Sequence, residues 1–358
     1  MKKFLILLII ANFYFISLAN DTITILLIHP TVKNINTFNY LSLNKIIDID
    51  NVKFIGVYHK DEQYDYSKSK EFIADSNLTN FSLVELSNPI EKTDIYKDNN
   101  LSSQFDSLFL ISNAAIFTGG DDISPSVYGN KTKFLTSIDD PYRHYFEISF
   151  LYHLIEKDNG KTALLNKNPN YAILGICLGM QTINVAAKGT MYQDIPTEVY
   201  KLKCIEDAVK IQSKMHKNYS KLISDDKDMI GASLHPILLK DIENPISKIF
   251  NDNKMPYVLS WHHQAVKKIG NNLKVIFTSE DKKIIEGLNH TIFKNVYGVQ
   301  FHPEYIKIYK NQEIRFNLED KQKAFADLLK EKNSYQFHIE LWRFFSSLLS
   351  PSCIGTSN

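Results

Sequence analysis

Short apolar runs rich in β-branched residues alternate with segments of helical spacing through the first half of the chain. "TITILLIHP" (22–30) is apolar up to its closing His-Pro, and "VKFIGVYH" (52–59) is of the same kind. Runs of this length predict buried strands. Between them, "TFNYLSLNKIID" has mixed helical spacing. "AAIFTGG" (114–120) predicts a third strand ending in a glycine turn. "HYFEISFLYHLIEK" (144–157) places Ile148, Leu151, Tyr152 and Ile155 on one helical face. "YAILGI" (171–176) predicts another buried strand, with helix following over about 179–188. Strands alternating with helices imply a mostly parallel sheet covered on both faces.

The second half has a different rhythm. "GASLHPILL" (231–239), "YVLSW" (257–261), "LKVIFTSED" (273–281), "IIEGLN" (284–289) and "VYGVQF" (296–301) form a β-rich, hairpin-like series, with a polar turn at Ser279 to Lys283. "YQFHIELWRFFSSLL" predicts an amphipathic terminal helix. Residues 60–104 and 201–228 are rich in Asn, Asp, Ser and Lys and are expected to be loops or insertions. The segment 306–335 is charged, and "LEDKQKAFADLLKEK" within it has helical character. No internal repeat is visible.

The first residues stand apart. In "MKKFLILLIIANFYFISLAN", Lys2 and Lys3 precede an apolar run from Phe4 to about Leu18, and Ser17-Leu18-Ala19 offers small residues for a signal peptidase. A cleaved export signal over 1–19 is expected, followed by one domain over 20–358. The alternative is an uncleaved membrane anchor, for which the run is short and interrupted by Asn12. The chain of 358 residues has 44% hydrophobic and 23% charged residues and a formal net charge of +1. No basic stripe with interleaved aromatics accompanies that balance, so nucleic acid is not an expected partner. The expected partner is a small molecule, with no stable membrane association after signal cleavage and with homodimerisation open. Cys177, Cys204 and Cys353 are too few and odd in number for a disulfide framework. They also lack metal-ligand spacing, and no metal site is expected.

Candidate chemistry centres on "YAILGICLGMQTINVAAKGT" (171–190). An apolar strand running into Gly-x-Cys-x-Gly and then a helix presents Cys177 either as a small core residue or as a nucleophile on a tight turn. Gly175 and Gly179 would relieve crowding there, and the helix N-terminus would lower a thiol's pKa. In "GVQFHPE" (298–304), His302 is followed two residues on by Glu304, with Pro303 between. This is an imidazole and its orienting carboxylate, or a polar surface after a strand. In "FTGGDDISPSVYG" (117–129), the N–H groups of Gly119 and Gly120 could complete an oxyanion hole with that of Leu178, or form a plain turn. "SWHHQAV" (260–266) sets His262 and His263 side by side at a strand end.

In order and spacing, "GGDDISPSVYG", "LGICLGMQTINVAAKGTMYQDI", "SWHHQAV" and "GVQFHPE" resemble the class I glutamine amidotransferase-like proteins. The closer similarity is to the γ-glutamyl hydrolase branch, which includes the bacterial γ-glutamyl-γ-aminobutyrate hydrolases. It is strong over about 114–304 and weaker in the flanks, with 305–358 as a C-terminal helical extension. The resemblance implies an α/β, flavodoxin-like three-layer sandwich with a mostly parallel central sheet and a nucleophile elbow. It implies Cys177 as nucleophile, His302 as base and acid, and Glu304 as orienter, with no metal or organic cofactor. Gly120 and Leu178 would supply oxyanion N–H groups, Gln181 would contact a glutamyl head group, and His262 or His263 would line the acceptor side. The implied reaction is hydrolysis of a γ-glutamyl amide. A glutaminase serving a synthetase, or a catalytically idle binding protein of the same fold, are the alternatives. Two positions depart from the family pattern. "DPYRHYFE" keeps Arg143 and Glu147 but has His144 where an aspartate is usual, and Lys188 replaces a usual glycine.

Overall fold

In the computed structural model, which describes residues 22–349 apart from 157–161, 252 and 318–321, the apolar runs pair as strands. In chain order these are β1 (Ile23–Ile28), β2 (Val52–His59), β3 (Phe81–Leu86), β4 (Ala114–Phe117), β5 (Ala172–Ile176), β6 (Thr190–Tyr192), β7 (Ser233–Leu239), β8 (Tyr257–Ser260), β9 (Ala265–Lys268), β10 (Leu273–Ser279), β11 (Ile285–His290) and β12 (Val296–Val299). The helices are α1 (Val32–Leu43), α2 (Ser67–Asp75), α3 (Ser102–Leu110), α4 (Pro141–Ile155), α5 (Leu178–Ala186), α6 (Ile195–Glu198), α7 (Ile205–Lys210), α8 (Phe325–Glu331) and α9 (Tyr335–Ser347). The proposed signal segment and Cys353 lie outside the described residues. Among the described residues no helix is long and apolar enough to cross a membrane.

One sheet runs in the order β3-β2-β1-β4-β5-β12-β11-β10-β7-β8. Pairing is parallel from β3 through to β12. From β12 outward it is antiparallel. The two halves of the sequence thus become the two halves of a flavodoxin-like sheet. β6 and β9 pair separately as a two-stranded ribbon.

The period of two along the strands divides the core. Leu26, Ile28 and Phe117 face a cluster with Phe105 of α3, Phe146 and Phe150 of α4, and Met180 of α5. Ile25, Leu27 and Ile116 face the opposite cluster with Ile35 and Phe38 of α1 and Trp342 and Phe345 of α9. This makes three layers. Every residue of β4, β5 and α5 is buried, as expected for elements covered on all sides. Helix α4 begins three residues before its predicted start because Asp140 caps it, accepting from the Arg143 N–H at 3.2 Å, with Pro141 in the first turn.

Residues 60–104 differ from the loop expected. They contain α2, β3 and the start of α3. β3 is an edge strand with exposed Ser82 and Glu85, and α2 buries only Ser69, so neither carries the apolar signal of a central element. Segment 201–228 is mostly irregular, with α7 as its one short α-helix among the described residues. The terminal helix appears as α9, and helical character within 318–332 as α8.

Candidate active site

Cys177 joins β5 to α5 with φ 53° and ψ −103°, a left-handed conformation that strains a residue bearing a Cβ. Its N–H donates to the Val299 carbonyl of β12 at 2.8 Å, and its carbonyl accepts from the Gln181 N–H at 3.2 Å. The flanking glycines meet two separate needs. A Cβ on Gly175 would lie 2.6 Å from the backbone of Gly179, so this glycine lets α5 start directly over β5. A Cβ on Gly179 would strike the Phe117 carbonyl, so that one lets α5 lie against β4. Leu178 opens α5, and its N–H has no acceptor within the helix.

His302 follows β12, and its N–H donates to Leu259 of β8 at 2.8 Å. Its Nδ1 is 2.7 Å from Glu304 Oε1, so Glu304 orients the ring. The Cys177 side chain comes to the same point and lines the same cavity, close enough to act on the charge of the ring. Burial alone would lower the His302 pKa, but Glu304 and Cys177 outweigh it and hold the imidazole well above its usual range. The ring rests on Gly119, where a Cβ would approach Cε1 to 2.9 Å. The Pro303 carbonyl accepts from Tyr309 Oη at 2.6 Å and from Trp342 Nε1 at 3.2 Å. Helix α9 therefore braces the loop that carries His302, a role its amphipathic pattern did not reveal.

Arg143 of α4 lies beneath the loop after β4. Its Nη2 donates to the carbonyls of Thr118 (3.2 Å) and Gly119 (3.0 Å), and its Nε to Glu147 Oε1 at 2.6 Å. In a trans peptide the C=O and N–H point opposite ways. With the Gly119 carbonyl turned to Arg143, the Gly120 N–H is turned away from it. Burial pushes the Glu147 carboxyl up to about 7 against the pull of Arg143.

Two cavities meet at Cys177, and both are bordered by Gly120, Asp121 and Trp261. The larger, about 470 Å³, is also lined by Lys33, His302, Glu304, Tyr305 and Ile306. The smaller, about 250 Å³, is lined by Asp122, Lys217, Gln181, His262 and His263. The two histidines thus share the cavity of Gln181. The reason is the β8–β9 connection, held over α5 by Gln181 Nε2 to the Gln264 carbonyl (3.3 Å) and by the Ile123 N–H to Gln264 Oε1 (3.3 Å). Gln181 Nε2 also donates to Gln300 Oε1 at 3.2 Å. His263 lies 3.1 Å from both Asp122 Oδ2 and Asp194 Oδ1. Burial opposes its protonation, yet the two carboxylates raise its pKa to about 9. His262 is different: burial holds it well below its usual value, and its Nδ1 pairs with the Gln264 carbonyl at 2.7 Å. Asp194 and Trp261 are not singled out by the sequence, although both lie within the quoted motifs.

Each departure from the family pattern has a physical setting. His144 is buried, and burial lowers its pKa to about 3, so it is neutral beside Arg143. Lys188 has φ 67°, in the left-handed region that favours glycine. It sits in a helix-terminating motif, with Gly189 N–H to the Asn184 carbonyl at 2.8 Å and Lys188 N–H to the Val185 carbonyl at 2.9 Å. Its Nζ lies 3.4 Å from the centre of the Tyr96 ring, a cation–π contact that offsets the strain.

The sequence pattern of the peptidase C26 family matches residues 99–304. A glutamine amidotransferase-like protein of Lactococcus lactis subsp. cremoris is 34% identical over 91 residues, 25% of this chain and 42% of that protein. One from Rickettsia prowazekii is 29% identical over 226 residues, covering 55% of this chain and 72% of that protein. The chain thus spans less than half the length of the Lactococcus relative. The crystal structure of a glutamine amidotransferase from Thermotoga maritima overlaps 92% of this chain and 95% of its own, at 14% identity and a TM-score of 0.35. The fold assignment stands on the sheet order and not on that overlap.

Proposed function

The chain belongs to the peptidase C26 family of the class I glutamine amidotransferase-like proteins, and we propose that it hydrolyses γ-glutamyl amide bonds through an acyl-enzyme on Cys177. The observation that carries this reading is a thiol beside a carboxylate-oriented imidazole at the junction of two cavities. His302 takes the Cys177 proton, and the thiolate attacks the γ-carbonyl. The N–H groups of Gly120 and Leu178 receive the oxyanion. His302 then protonates the leaving amine as the tetrahedral species collapses to a thioester. Water, deprotonated by His302, releases glutamate and restores the thiol.

The smaller cavity suits the glutamyl group. Asp121 offers a carboxylate toward its ammonium and Lys217 a charge toward its carboxylate, while His263, paired with Asp122 and Asp194, fixes the wall between them. The larger cavity receives the departing amine. Hydrolysis of free glutamine would release only ammonia and would have no use for about 470 Å³ on that side. This favours an amine with a sizeable substituent over a glutaminase role. A mass-spectrometric screen of the purified protein against γ-glutamyl compounds, with Cys177→Ala as the blank, tests the reading. Glutamate release from a substituted amide at a rate unchanged by ATP is expected. A protein inert on every such amide, yet releasing ammonia from glutamine once a synthetase is supplied, would overturn it.

A further inference from the structure

Away from Cys177, the antiparallel half of the sheet buries three side chains whose donor atoms lie within 4.8 Å of one another: His216, His235 and Glu286. His235 is on β7 and Glu286 on β11, the two strands that flank β10. His216 comes from the irregular 201–228 segment. His216 Nδ1 is 3.1 Å from His235 Nε2 and 3.1 Å from Glu286 Oε1. Neither Glu286 oxygen has a hydrogen-bond partner among the described residues, although the side chain is fully buried. A carboxylate at that depth, with an imidazole nearby but no hydrogen bond, is costly.

We propose that His216, His235 and Glu286 hold one zinc ion that ties the 201–228 segment to the antiparallel half of the sheet.

Two imidazoles and a carboxylate are a zinc donor set, and tetrahedral bonds of about 2.0–2.1 Å place neighbouring donors about 3.3 Å apart. The two separations of 3.1 Å are close to that. The His235 ring is already set for it. Its Nδ1 faces the Pro236 carbonyl at 3.3 Å, the arrangement seen when a ligating histidine is held by its other nitrogen, and its Nε2 lies 2.8 Å from Ser260 Oγ, a contact that the ion would replace. A cavity of about 260 Å³, lined by His216, His235, Glu280 and Asp281 among others, reaches the cluster. Lys214 lines it too, so two carboxylates and one ammonium border the approach, which has room for a water as fourth ligand. Next in sequence to His216 is Lys217, which lines the smaller cavity at Cys177. The ion would thereby fix one wall of that cavity without touching the reacting atoms.

The test is elemental analysis of the full chain as purified, then zinc titration of chelator-treated protein by calorimetry, with Co²⁺ as a spectroscopic substitute. One zinc per chain, a dissociation constant below about 1 μM and the visible absorption of four-coordinate Co²⁺ are expected. Glu286→Gln keeps the shape of the side chain. It should weaken zinc binding beyond the roughly 10–100-fold typical of outer-shell changes, and should lower the melting temperature of metal-loaded but not metal-free protein. His235→Ala should abolish binding. Overturning results would be no zinc bound by the metal-free wild type, zinc bound equally by both variants, or a Glu286→Gln variant more stable than the wild type as purified. The last would mean that the cluster is an unfilled polar pocket.

Discussion

Replacing Arg143 by methionine tests whether the Gly119–Gly120 peptide is held in place for catalysis. Arg143 makes the contacts that turn this peptide, at 3.0 Å to the Gly119 carbonyl and 3.2 Å to that of Thr118. Losing one oxyanion donor costs about 10²–10³ in kcat. Arg143 acts through the peptide and not as a donor itself, so the lower end, about 10², is expected, with KM changed little. The same substitution strands Glu147, whose side chain is fully buried. Breaking a buried pair costs about 3–5 kcal/mol. Glu147 already has a pKa of about 7, so it can shed its charge by protonation once Arg143 is gone, which again favours the lower end.

The two effects separate in the double variant Arg143→Met/Glu147→Leu. Removing both charges should restore most of the stability, because a buried pair replaced by apolar groups is often neutral. Turnover should stay about 10²-fold down. Alkylation of Cys177 by iodoacetamide needs a thiolate but no oxyanion hole, so its rate should remain within about twofold of wild type in both variants. The assays are melting temperature, alkylation rate and kcat on the substrate found by the screen. A folded double variant with wild-type kcat would refute the reasoning. So would equal losses of alkylation and turnover, which would place the damage at the thiol.

Cys177→Ala should abolish turnover while keeping the fold, and iodoacetamide should label Cys177 faster than the exposed Cys204; equal labelling or an active alanine variant would reject the assignment. Glu304→Gln removes the carboxylate that raises His302, so the alkaline limb of the pH–rate profile should move to lower pH and kcat should fall on the order of 10²–10⁴-fold. An unshifted limb would detach Glu304 from His302. The raised pKa of His263 means that its ion pairs stabilise fully below about pH 6.5 and are lost as the pH rises through about 9. His263→Gln should therefore flatten the fall in melting temperature between those values, and an unchanged slope would contradict the pairing. The export signal proposed for residues 1–19 predicts a native N-terminus at or near Asn20, which N-terminal sequencing checks.

What could be read from the sequence follows burial. β4, β5 and α5 are buried throughout, so their apolar runs announce them, and Gly175 and Gly179 mark the close approaches on either side of Cys177. β3 escaped notice because an edge strand needs polar residues on its open side. Lys188 stood out as a departure, but its left-handed φ and its contact with Tyr96 belong to the folded backbone. Periodicity says that a segment is a strand without naming its neighbours. That gap hides the His216–His235–Glu286 cluster, whose members come together only because β7 and β11 both flank β10.

The same gap governs Cys177 and His302, which come from strands far apart in sequence. The sheet order sets β12 beside β5, with Val299 paired to Ile176. That register lets the Cys177 N–H reach the Val299 carbonyl and starts the turn to His302 three residues later. Gly298, paired with Gly175, keeps this contact close, since a Cβ there would come within 2.6 Å of Met180 Cγ at the start of α5. A slip of one residue would turn every β12 side chain to the opposite face. It would also break the bond to Cys177 and carry His302 away from the thiol. The motifs around Cys177 and His302 can therefore work together only in a chain whose strands hold this register, which is why the unexposed, unreactive residues of β5 and β12 constrain the chemistry as tightly as the thiol and imidazole do.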